Sequence, residues 1–259
     1  MSLVLTLDAS LAEVTASLQA REEPFALATV VRTLGSTAAK PGTKALLSAE
    51  GEIINGWLGG GCIKAAVRKA AVQAISDGQP RLISVAPKEE ISTKNRSGTA
   101  ERDGIHYARN GCPSKGTIDI FIEPSLPMPD LVIYGTSPVA KALARLAATF
   151  DWDIKAGDPA RDLEESAKQR FIVVATQGAG DRDALRCALH CEAEYIGFIG
   201  SVAKFASVSA KLVEAGESQH ALDQVSSPAG LHIGARTPDE IALSVLAELT
   251  ARRRGASDV

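Results

Sequence analysis

Three successive glycines, Gly59, Gly60 and Gly61, followed at once by Cys62, are the residues of this chain whose types and spacing could do chemistry. Without β-carbons, their backbone N–H groups can converge on an anion in conformations that other residues resist. Ile63, Ala66, Val67, Ala70, Ala71, Ala74 and Ile75 then recur at helical spacing as far as Gly78. The loop therefore opens a helix, and unpaired N–H groups and the macrodipole favour negative charge at such an end. A thiol placed there ionises more readily and can act as a nucleophile or carry sulfur. The pattern predicts a phosphate cradle beside an activated Cys62, with Lys44 as counter-charge; a glycine turn closing on a small buried cysteine is the alternative.

A second set of residues lies in the other half of the chain. Gly135 and Ala140 fit the first and third positions of a dinucleotide fingerprint, G-x-G-x-x-G/A, and Asp158 follows where an acid could hold a ribose hydroxyl. Ser137 stands at the second position, where a side chain crowds a pyrophosphate. Gly200-Ser201 opens a further helix and offers another anion site. An NAD(P)-dependent oxidoreductase is thus the competing function, and no proton donor near the fingerprint supports it. Cys187 and Cys191 flank His190 but lack a second ligand cluster, so no metal is expected. His106, His190, His220 and His232 are dispersed and form no triad.

The elements that must position these residues follow from periodicity. Ser10 and Glu13 match a capping box ahead of Leu11, Val14 and Leu18. Strands are predicted at 25–33, 44–48 and 53–58 ahead of the glycine loop, and at 81–85 and 117–122 after its helix. The polar stretch 88–110 has no apolar period and reads as a mobile insertion, closed by Cys112. Pro124, Pro127 and Pro129 make a stiff linker. Beyond it, strand and helix alternate, which implies a parallel, doubly wound, Rossmann-like sheet. The fold class is α/β, with an N-terminal α/β domain over 1–124 and a Rossmann-like domain over 130–259. Thr237-Pro238-Asp239-Glu240 caps the last helix, which ends on Arg252, Arg253 and Arg254.

Composition narrows the function classes. With 28 basic and 31 acidic side chains and 4% aromatic residues, the chain has no footprint for nucleic acid. No apolar run reaches membrane-spanning length and no leader pattern is present, so a cytoplasmic protein with reduced thiols is expected. Two modest domains on a proline linker predict a homodimer.

Gly35-Ser36-Thr37, Pro41-Gly42-Thr43-Lys44, Gly59-Gly60-Gly61-Cys62, Gly200-Ser201 with Lys204, and the block Pro228 to Ala242 together resemble the XdhC/CoxI family over nearly the whole chain. Members are maturation factors for molybdenum hydroxylases such as xanthine dehydrogenase and carbon monoxide dehydrogenase. The resemblance implies an accessory chaperone, not an independent enzyme. Such a chaperone binds the molybdenum cofactor (molybdopterin), takes part in its sulfuration with a cysteine desulfurase, and delivers it to an apo molybdenum hydroxylase client. It also implies a Rossmann-like second domain. On this reading Gly35, Ser36, Lys44 and Gly59 to Gly61 hold the cofactor and Cys62 handles sulfur, with Gly135, Asp158, Gly200 and Ser201 as further binding positions. Two departures stand out. Ser137 replaces the glycine of the family's G-x-G turn, and the segment Gly111 to Gly116 lacks the Cys-Gly-Gly pattern many members carry.

Overall fold

A computed structural model describes residues 9–87, 101–102, 104–111, 116–160 and 168–255. The chain forms two compact units, Met1–Pro127 and Met128–Val259.

In the first unit, α1 (Ala9–Ala20), β1 (Phe25–Leu34), β2 (Lys44–Ser48) and β3 (Ile53–Gly56) precede the glycine loop, and α2 (Gly61–Asp77) follows it. Then come β4 (Arg81–Ala86), β5 (Glu101–Arg102), β6 (Ile105–Arg109) and β7 (Thr117–Ser125). The strands make one mixed sheet in the order β3-β2-β1-β7-β4-β6-β5. Side chains alternate across it. Ala28, Val30, Ala45, Ile118 and Ile120 turn towards α2, whose Val67, Ala70, Ala71 and Ala74 close the core over them. Those alanines let the helix sit close to the sheet. Phe25, Leu27 and Leu46 turn to the other face, beneath Leu11, Val14 and Leu18 of α1.

Two expectations need correction here. Helix α1 already includes Ala9, so Ser10 is not its cap; the Ser10 hydroxyl instead accepts from Asn55 Nδ2 at 2.9 Å. The stretch read as a mobile insertion contains β6, whose residues 105–108 are half-buried and pair in parallel with Leu82 to Val85. His106 and Tyr107 obscure its alternation, and pairing with a strand distant in sequence leaves no local trace. Cys112 lies outside the described residues.

The second unit contains β8 (Asp130–Tyr134), α3 (Pro138–Ala147), β9 (Asp153–Gly157), β10 (Arg170–Val174), α4 (Asp181–Leu189) and β11 (Tyr195–Phe198). It ends with α5 (Val202–Glu214), α6 (Gln219–Asp223) and α7 (Pro238–Arg253). Its sheet is parallel, in the order β11-β10-β8-β9. Leu131, Ile133, Phe171 and Val173 pack against α3 and α7, while Val132, Tyr134, Ile172 and Val174 pack against α4 and α5. Both faces are covered, which is why β8 and β10 are buried at every position. The chain leaves β8 for β9 and then crosses back to β10, so the switch point lies between β8 and β10.

The block from Ser226 to Thr237 holds this unit together. Ser226 and Ala229 bond along the outer edge of β11, with Ser226 N–H on Ile196 O at 2.9 Å and Ala229 N–H on Phe198 O at 3.0 Å. Glu248 of α7, 5% exposed, then accepts from Tyr195 Oη at 2.8 Å, Ser226 Oγ at 2.8 Å and the Gly230 N–H at 2.5 Å. Gly230 has φ +106, and a β-carbon there would strike the Ser244 hydroxyl. Replacing Glu248 by Ala strands three donors, one buried and two half-buried, so Glu248→Ala is expected to lower stability by about 2–4 kcal/mol. A thermal melt within a degree of the unaltered protein would refute this.

Candidate functional site

The edge of the first sheet where β1 ends is built from close backbone contacts. The β1–β7 ladder runs to Leu34 opposite Thr117. Beside it the Asn110 N–H, just past β6, donates to Ala86 O at 2.7 Å. Gly35 turns the chain with φ +70, and its absent β-carbon faces the Gly116 α-carbon at 3.7 Å. Gly116 admits no side chain, because one would run into the Ser36 carbonyl and the Thr37 methyl. Asn110 Nδ2 donates to Gly116 O at 2.6 Å, and a β-carbon on Gly111 would lie 3.4 Å from Cys62 Sγ. Gly35, Ser36, Asn110, Gly111, Gly116 and Cys62 therefore form one connected group.

The N-terminus of α2 opens at this group. Gly60 is its N-cap, in extended conformation, and among the described residues no side chain caps the helix. The Ile63 and Lys64 N–H groups both bond to Gly60 O at 3.1 Å. Among the described residues, the N–H groups of Gly61 and Cys62 have no backbone partner. Among the described residues, β-carbons at Gly60 and Gly61 would meet nothing within 4 Å. Gly59 differs: its φ is +125 and a β-carbon would come within 2.8 Å of Ile63 Cδ1. Cys62 is exposed and, among the described residues, unbridged. The arrangement offers an anion two N–H donors with a thiol beside them.

Lys44 stands apart from it. Ala45 and Leu47 face α2, so Lys44 lies on the opposite face, where its Nζ donates to Thr29 Oγ1 at 2.9 Å. Lys64, exposed, is the cation in the first turn of α2. A cation in a first turn that holds no acid is a placement the helix dipole disfavours. Asn110, Gly111 and Gly116 were missed in the sequence, since only the sheet brings them to Cys62.

In the second unit several of the strand ends are closed by the chain itself. Gly135, φ +110, is required because a β-carbon would come within 2.6 Å of Ala175 O. Ser137 caps α3: its Oγ accepts from the Ala140 N–H at 3.1 Å. With Pro138 lacking an N–H, little of that helix end remains for a pyrophosphate. Asp158 Oδ1 accepts from the Ala160 N–H at 3.0 Å. Gly200 is packed on Phe198, and Ser201 caps α5 by accepting from the Lys204 N–H at 3.2 Å. Lys204 Nζ lies 2.7 Å from Asp181 Oδ2, and the other Asp181 oxygen accepts from the Thr176 hydroxyl and the Gly178 N–H. Burial alone would raise the Asp181 carboxyl, but Lys204 and Thr176 outweigh it and hold it below the ordinary range. The pair therefore stabilises the fold at neutral pH and is lost only as pH falls through that lowered value. Among the described residues no cluster could hold a metal, and no helix is long and apolar enough to cross a membrane.

These caps predict that NAD(P)H titrated into the protein shows no saturation in the low micromolar range, and that Ser137→Gly strengthens whatever binding exists. Tight saturable binding by the unaltered chain would overturn this.

Comparison with known proteins gives the geometry a context. The family model described as "XdhC Rossmann domain" matches residues 131–249, and that described as "XdhC and CoxI family" matches residues 18–86. The chain is 28% identical to the uncharacterized protein YqeB of Escherichia coli, over 93% of this chain and 46% of YqeB. It is 25% identical to the molybdenum cofactor insertion chaperone PaoD of Escherichia coli, over 88% of this chain and 83% of PaoD. A Bacillus subtilis protein named as a probable xanthine dehydrogenase subunit is 29% identical, over 53% of this chain and 47% of that one. The chain thus spans about half the length of two of these relatives. With one family's two domain models matched in succession across both units, the chain belongs to the XdhC and CoxI family.

Proposed function

We propose that this chain is a cytoplasmic maturation factor that binds the molybdenum cofactor, takes part in its sulfuration, and delivers it to an apo molybdenum hydroxylase. The observation that carries the reading is the uncapped N-terminus of α2 with exposed Cys62 in its first turn. A phosphate-bearing cofactor suits the Gly61 and Cys62 N–H groups and the Lys64 ammonium. A cofactor whose metal end receives sulfur suits an exposed thiol close by, and a cysteine desulfurase is the expected sulfur donor. The name of PaoD supports the cofactor, and the name of the Bacillus subtilis relative supports the class of client. Here the residues bind and orient: Gly59 sets the backbone, Gly60 and Gly61 leave room for the anion, and Cys62 meets the metal end. The chain acts as a homodimer in this reading.

Gly60 gives the cleanest test. Its φ of −77 is open to any residue, and among the described residues nothing lies within 4 Å of its β-carbon position. Gly60→Val should therefore fold normally yet lose bound molybdopterin at least about tenfold, because the side chain fills the anion's place. Cofactor content is read from pterin fluorescence after release from protein purified out of a molybdenum-replete host. Normal content in a folded Gly60→Val protein would mean the site is elsewhere. Cys62→Ser is expected to keep cofactor content while lowering the activity restored to an apo client; equal activation would show that the thiol has no part in sulfur handling. Light scattering should give twice the chain mass, and a monomer at all concentrations would exclude the dimer.

A further inference from the structure

Asp119 is the third residue of β7, and its neighbours Ile118 and Ile120 belong to the core under α2. Its own side chain therefore faces away from α2. The residue is 8% exposed. Arg32, opposite it on β1, reaches it with Nε at 2.6 Å and Nη2 at 2.5 Å, and both N–H groups end on Oδ2. An arginine facing a carboxylate more often gives one N–H to each oxygen. Oδ1 is left buried with no hydrogen-bond partner among the described residues, a condition that asks for a donor.

The surroundings indicate which donor. Ser84, opposite Asp119 on β4, is 3% exposed. Phe121, two residues along β7, and Tyr107, opposite Ser84 on β6, share this face and are half-buried. Helix α1 packs over β2, β3 and the start of β1, so among the described residues no helix covers the Asp119 region. An acceptor-only carboxylate on a sheet face that also carries two aromatic side chains suits a flat heterocycle that presents two parallel N–H donors.

We propose that Asp119 recognises a 2-amino-4-oxopyrimidine edge, its ring N–H and exocyclic amino group matching the two carboxylate oxygens, with Phe121 and Tyr107 supplying aromatic surface for the ring. Arg32, whose side chain is 56% exposed and which follows a register irregularity in β1, is the group that yields at Oδ2. Assigning this edge to the pterin of the molybdenum cofactor rests on the function proposed above. Guanine carries the same edge.

The test uses the full-length protein and three probes: pterin, its 2-oxo analogue lumazine, and guanosine. Pterin should bind about tenfold or more tightly than lumazine, because lumazine turns an acceptor towards Asp119. Asp119→Asn, which keeps the shape and adds a donor, should abolish or invert that preference while its melting curve confirms folding. Equal binding of pterin and lumazine by the unaltered protein needs no variant and overturns the inference, as does an unchanged preference in folded Asp119→Asn. Guanosine binding as tightly as pterin would keep the edge reading and overturn its assignment to the cofactor. A protein that copurifies with molybdopterin yet treats pterin and lumazine alike sinks this inference and leaves the proposed function standing. One that copurifies with no pterin, yet prefers pterin through Asp119, does the reverse.

Discussion

The ladder between β1 and β7 is the constraint on which the first unit depends. It joins segments far apart in sequence, from Phe25 opposite Ser125 to Leu34 opposite Thr117. Ala28 and Val30 on one strand and Ile118, Ile120 and Ile122 on the other are sealed beneath α2. Burying each isoleucine contributes about 1.5–3 kcal/mol. A one-residue slip would turn those isoleucines to the far face and bring Asp119 under the helix, so burial fixes the register. That register brings Gly35 to Gly116, and Gly116 to Asn110 beside Gly111 and Cys62. The site group is thus a consequence of where the isoleucines must go.

The helices of this chain begin in two ways. Helices α3, α5 and α7 each begin under a hydroxyl, from Ser137, Ser201 and Thr237, that accepts a backbone N–H of the first turn. Such caps stabilise a helix by about 1 kcal/mol and occupy the donors an anion would use. Helix α2 begins under Gly60, has no acid in its first turn and carries Lys64 there. A serine at the cap would make it more stable. Three helices of the Rossmann-like unit thus satisfy their own first turns, while α4 begins under Gly180 with no side-chain cap, and the fold alone does not make a dinucleotide site.

Much of this was legible in the sequence, for reasons that differ by element. The alternating halves of the second unit, the α2 stripe of Val67, Ala70, Ala71 and Ala74, and the capping box at Thr237 are local patterns, and local patterns survive in sequence. Strand β6 did not, since its partner β4 supplies the order that its own residues lack. Cys62 and the glycine run could be picked out as a candidate site because their chemistry is contiguous. Lys44 was assigned to that site by type, and the pleat turned it to the other face, onto Thr29. Asp119 carried no signal at all: an acid between isoleucines reads as the solvent side of a strand. Only the register shows Arg32 on one oxygen and, among the described residues, nothing on the other.

The family signature from Pro228 to Ala242 illustrates how resemblance and chemistry part company. It is the longest stretch that carried the resemblance, yet its residues bond to β11, to Ser244 and to Glu248. Gly230 is there because Ser244 leaves no room, and Thr237 and Glu240 exchange the two hydrogen bonds of a capping box. Each of these positions is fixed by packing or by a cap, so the sequence is constrained wherever the fold must be held, whatever the ligand. The shorter glycine run at Gly59 to Gly61 has the opposite character. Among the described residues Gly59 alone of the three is demanded by its surroundings, and a β-carbon at Gly60 or Gly61 would meet nothing within 4 Å. Glycines that the fold does not require, at an uncapped helix end beside an exposed thiol, are better explained by something that binds there than by the structure alone.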